Sequence, residues 1–78
     1  MSREVLLATR EDGRCDRFVL AVFEEGDHWT STLTRLDAHG RPEAVRVAPR
    51  FYGVTAAQAR RRMIAALENE YDDVEPER

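Results

Sequence analysis

The sequence predicts an α+β domain, a four-stranded antiparallel β-meander followed by one C-terminal α-helix packed on one face (β-β-β-β-α). Three observations carry this. Residues 54–71 hold an uninterrupted stripe at helical spacing. The first half of the chain alternates short apolar runs with turns that contain glycine and acids. Pro76 then stops the helix close to the end of the sequence.

In chain order, residues 4–9 form the first apolar run, and Asp12-Gly13 supplies the hairpin signal after it. Residues 18–23, Phe-Val-Leu-Ala-Val-Phe, are apolar at every position, which predicts a central strand covered on both faces. A second tight turn spans residues 24–27. Residues 28–36 alternate, with Trp29 and Leu33 on one side and Thr30, Thr32 and Thr34 on the other. Gly40 and Pro42 break the chain before a fourth strand at residues 44–52. There Val45, Val47 and Phe51 share one face, and Arg46, Arg50 and Tyr52 the other. Pro49 cannot donate to a ladder, so this strand belongs at an edge or bends.

The helix has the strongest local signals. Thr55 and Gln58 make a capping box, with the Gln58 amide reaching back to the Thr55 N–H. Ala56, Ala59, Met63, Leu67 and Tyr71 line one stripe, with Ile64 and Ala66 on its flanks. The helix is expected to end between Tyr71 and Val74. Residues 1–78 form a single small domain, with residues 75–78 as a frayed acidic tail.

Composition bounds the function. No apolar run is long enough to span a membrane and no signal-peptide pattern follows Met1, so a soluble cytoplasmic protein is expected. A single cysteine excludes an internal disulfide framework and an intrachain thiolate metal cluster. Cys15, His28 and His39 lie in or beside three different turns without a nucleophile or paired-histidine motif. The chain is therefore read as a non-enzyme, with no catalytic residues, no metal site and no cofactor. All twelve basic residues are arginines, and charge is segregated along the chain. Residues 41–62 carry six arginines against one acid, whereas residues 68–78 carry six acids against one arginine.

Two segments carry a family resemblance. Phe23-Glu24-Glu25-Gly26-Asp27-His28-Trp29 is an acidic turn between strands, and Gly53-Val54-Thr55-Ala56-Ala57-Gln58-Ala59 leads into a helix that closes with Leu67 and Tyr71. Over residues 18–72 this resembles HicB-like antitoxin domains. The chain departs from that pattern in its extra N-terminal strand and in lacking the Pro-x-Leu-Pro-Gly turn. It also ends without a further strand or an appended DNA-binding segment. The resemblance implies a compact domain that binds a small protein partner and oligomerises.

One helix covers one face of a sheet, yet the second strand is apolar on both. Val19, Ala21 and Phe23 are left as a protein-binding or dimer surface, and the expectation is a homodimer or partner-bound module. The alternative is a single-stranded nucleic-acid binder that uses Arg46, Arg50, Tyr52, Trp29 and Arg61.

Overall fold

The computed structural model describes residues 1–44 and 48–77. Its elements are β1 (Ser2–Thr9), β2 (Cys15–Glu25), β3 (His28–Leu36), β4 (Arg50–Gly53), α1 (Ala56–Glu68) and β5 (Asp73–Pro76). Among the described residues they form one antiparallel five-stranded sheet, in the order β4-β3-β2-β1-β5, with α1 across one face. The α+β class and the meander of the first four strands match the expectation; the sheet has a fifth strand that the sequence reading lacks.

That strand comes from the acidic end of the chain. The predicted frayed tail instead pairs with β1, with Leu7 opposite Glu75 and Thr9 opposite Asp73. Asp72 N–H donates to Thr9 O at 2.9 Å and Glu77 N–H to Val5 O at 2.8 Å, so the pairing is bracketed by backbone bonds. To reach this edge the chain leaves the helix early. α1 ends at Glu68 with Asn69 as its cap, short of the expected 71–74.

Apolar alternation decides which face α1 covers. Leu6 and Ala8 of β1, Phe18, Leu20 and Val22 of β2, and Leu33 of β3 point to the same side and are buried. The helix answers with Ala59, Met63 and Leu67, and Tyr71 just beyond its end completes the same stripe. β2 is the middle strand, but it is not covered on both faces as its unbroken apolar run suggested. Its other face is half-buried at Val19, Ala21 and Phe23.

Small residues set how closely the helix approaches. A Cβ on Gly53 would lie 2.7 Å from the Ala59 nitrogen, so β4 and the first turn of α1 pack backbone to backbone. Beside them Ser31, fully buried, donates its hydroxyl to Ala59 O at 2.7 Å. The cap forms as read at Thr55, whose hydroxyl accepts from Gln58 N–H at 3.1 Å. The reciprocal bond differs, because Gln58 Oε1 accepts from Val54 N–H at 2.7 Å and not from Thr55. Val54 precedes the cap, so this bond also fixes the angle at which the strand enters the helix.

The β2–β3 hairpin closes with two residues between Glu25 and His28. Gly26 takes φ 59 there while Asp27 keeps a negative φ, the arrangement of a type II′ turn. At the other edge, β4 is shorter than the predicted 44–52. Pro49 precedes its first residue, and its place at the sheet edge agrees with the reading of that proline. The predicted strand residues 45–47 lie outside the described residues.

The end of α1 is tied to the sheet by Tyr71. Its ring packs edge-on against Phe18 at 5.8 Å, its hydroxyl donates to Asp16 Oδ2 at 2.6 Å, and the Arg10 guanidinium sits 4.4 Å above it. Asp16 also accepts from Arg35 Nη2 at 2.6 Å. The Tyr71 hydrogen bond, aided by the Arg35 charge, holds the Asp16 carboxyl below its ordinary value. Burial, followed by the bond to Asp16, pushes the Tyr71 phenol up.

A group whose pKa is depressed by folding stabilises the fold above its unfolded pKa, and that stabilisation is lost as pH falls through the folded value. Unfolding midpoints of the wild type should therefore drop as pH is lowered below about 4, the unfolded Asp range. Asp16→Asn should cost about 1–2 kcal/mol at neutral pH and flatten that acid dependence. Urea titrations of both proteins from pH 7 to pH 2.5 check this; parallel curves would refute the role given to Asp16.

Candidate interaction surface

The face of the sheet turned away from α1 is built by the odd-numbered positions of β1, β2 and β5 and by the even-numbered positions of β3 and β4. Register places Arg3, Ala21, Thr32 and Arg50 in one row across β1, β2, β3 and β4. The next row is Val5, Val19 and Thr34. The row after that is Glu75, Leu7, Arg17 and Leu36, now including β5. The centre of this face is therefore Val5, Leu7, Val19, Ala21 and Phe23, beside Thr32 and Thr34, all half-buried. No described element lies over them. The three residues expected to form a docking surface, Val19, Ala21 and Phe23, are side by side on it.

Charges stand at the border of the face and are mostly paired. Arg17 holds Glu77 with two bonds of 2.7 Å, from Nε to Oε2 and from Nη2 to Oε1. Arg50 Nη2 reaches Glu25 Oε1 at 2.9 Å, where Thr30 also donates at 2.6 Å. The Thr30 hydroxyl, and then the Arg50 charge, hold the Glu25 carboxyl below its usual range. Thr30 belongs to the open face by parity, yet it is fully buried. Glu25 and its cross-strand neighbour Tyr52 stand over it.

The corner at β4 carries the aromatic part of the alternative site. Tyr52 is 50% exposed and Val54 77% exposed. The Tyr52 ring meets His28 edge-on at 5.3 Å, and a shallow concavity is lined by Glu25, His28, Arg50 and Tyr52. Arg62 Nη1 donates to Tyr52 O at 2.6 Å, taking a carbonyl at the free edge of the strand.

Of the residues expected to bind nucleic acid, the structure brings together Arg50 and Tyr52. Trp29 is not with them. It pairs with Gly53, on the α1 side of the sheet, and packs half-buried against the core. Arg61 is exposed on α1, and Arg46 lies outside the described residues. The four described members of the expected platform are thus divided among the open face (Arg50, Tyr52), the α1 side of the sheet (Trp29) and the helix (Arg61). Arg62 and His28, absent from that expectation, also lie against Tyr52. The helical position of Arg62, ten residues beyond Tyr52, gave no sequence signal for this contact.

Cys15 lies at the start of β2, exposed, at the opposite end of that strand from His28. His39 is in the loop after β3. Among the described residues no group of three or more His, Cys, Asp and Glu side chains is placed to hold a metal ion. None of the described helices is long and apolar enough to cross a membrane. Comparison with protein-family models, with curated proteins and with solved structures gives no match.

The two faces of β2 should respond differently to truncation. Leu20→Ala removes a fully buried side chain and should cost about 2–5 kcal/mol, whereas Val19→Ser on the open face should cost about 1 kcal/mol or less. Denaturant unfolding of the two variants decides it. Equal losses would mean that Val19 is a core residue and that the face is closed.

Proposed function

We propose that this chain is a small non-catalytic binding module that acts through protein–protein contact on the open face of its sheet, in the manner of HicB-like antitoxins. The observation that carries the reading is the row of Val19, Ala21 and Phe23 on the middle strand, half-buried and without a covering element. A contiguous apolar area of this kind marks an interaction site more often than it marks idle surface. The resemblance over residues 18–72 supports the same class of function, a domain that docks a small protein.

A photoreactive amino acid placed at position 19 or 23, in cells that make the protein, should give discrete protein adducts. The same group at Ala57, exposed on the outer side of α1, should give none. Equal labelling at all three positions, or no adduct at 19 and 23, would overturn the assignment.

One observation favours a second reading, single-stranded nucleic-acid binding: the half-exposed Tyr52 ring beside Arg50 and Arg62. The charge of the open face speaks against it. Its described charged residues are Arg3, Arg17 and Arg50 against Glu25, Asp73, Glu75 and Glu77, which makes three positive and four negative. A polyanion gains little from such a surface. Anisotropy of a labelled oligothymidylate at low salt should therefore show no binding, and binding that weakens steeply with added salt would promote this second reading.

A further inference from the structure

We infer that the occupant of the open face is a second copy of this chain, stacked on it about a two-fold axis that runs across the strands along the row Val5–Val19–Thr34. This rests on the open face being a binding surface and goes further by naming what binds there and in which orientation.

Edge-to-edge growth of the sheet is closed off first. β4 has four residues, follows Pro49, and has its Tyr52 carbonyl taken by Arg62 at 2.6 Å. β5 also has four residues and ends in Pro76, which has no N–H to offer. A second copy must therefore stack rather than extend the sheet.

The area is sufficient. Five strands at ~4.8 Å and rows from Thr9–Cys15 to Phe23–Thr30 at ~3.4 Å per residue give a face of roughly 500 Å² per copy. The pair then buries roughly 1,000 Å², at the threshold for a specific, reversible dimer.

Charge selects the orientation. Arg17 and Arg50 enter already neutralised by Glu77 and Glu25. Among the described residues, Arg3, Asp73 and Glu75 on this face have no ion-pair partner, and the two acids are neighbours on β5. Arg3 lies in the row of Ala21, and Glu75 in the row of Leu7 and Arg17. The row Val5–Val19–Thr34 lies midway between them. A two-fold axis along that middle row exchanges the outer two and brings Arg3 of each copy to the level of Glu75 of the other, on adjacent strands. An axis parallel to the strands instead carries Glu75 across to the opposite edge of the sheet, with Arg3 left over Thr32. Only the crosswise axis makes the face complementary to itself.

Light scattering and sedimentation of the wild-type chain, from about 1 μM to about 1 mM, should show a monomer–dimer equilibrium. Val19→Asp sets two carboxylates against each other on the axis and should abolish the dimer while far-ultraviolet circular dichroism stays unchanged. Arg3→Glu and Glu75→Arg each turn two symmetry-related attractions into repulsions and should weaken the dimer roughly tenfold. The double variant Arg3→Glu/Glu75→Arg, altered only at exposed positions, should restore it. A chain that stays monomeric across the range overturns the second copy as occupant. A dimer that Val19→Asp disrupts but the charge swap does not restore overturns the crosswise axis, while leaving the binding face in place.

Discussion

The contact of Ala59 with the corner made by Ser31 and Gly53 determines where α1 lies, and much else follows from that. A glycine on β4, an alanine on the helix and a buried serine hydroxyl bonded to Ala59 O let the backbones meet without intervening side chains. The helix is then committed to the face that carries Leu6, Leu20 and Leu33. A larger residue at Gly53 would push the first turn off the sheet by a bond length or more, and overpacking of this kind costs about 1–3 kcal/mol. The same commitment leaves Val19, Ala21 and Phe23 uncovered. The open face is thus the direct consequence of one tight contact on the other side of the sheet.

The second device is the closure of the chain's end onto its beginning. β1 would be an edge strand without β5, with its backbone groups on one side unpaired. Val74 packs against the core from the strand, and Tyr71 fastens the approach to it through Asp16 and Phe18. In a domain this small the added pairing is a sizeable share of stability, because few buried side chains are available to replace it.

The helix was legible because it depends on local periodicity: Ala59, Met63 and Leu67 follow from spacings of three and four. Alternation separates Phe18, Leu20 and Val22 from Val19, Ala21 and Phe23, but in a run that is apolar throughout it does not say which set meets the helix. β5 was not legible. Asp-Val-Glu-Pro holds one β-branched residue, a proline and two acids, and on propensity alone it reads as solvated chain. Its pairing is decided by partners 64 to 70 residues away in the sequence, which no local window contains. The split of Trp29 from Tyr52 has a similar origin. Alternation fixes which residues share a face within one strand, but only the pairing of Trp29 with Gly53 fixes one strand's parity against the next.

Charge shows the same difference between sequence and space. Residues 41–62 read as a basic block and residues 68–78 as an acidic one, but folding pairs members of each with opposite charges distant in the sequence. Arg60 Nε reaches Glu4 at 2.5 Å and Arg50 meets Glu25, while Arg62 binds the Tyr52 carbonyl within its own block. Glu77, from the acidic block, is held by Arg17. A guanidinium presents a planar fork of donors that suits these cross-element contacts better than an ammonium does, so arginine serves here as a fastener between elements. Each such pair is partly exposed and contributes little to stability singly. Their joint effect is on the surface field, since an arginine already matched to a carboxylate attracts a phosphate backbone weakly. In the proposed binding mode, recognition rests on the uncharged centre of the face, where contact with another apolar protein surface is the interaction that gains most from leaving water.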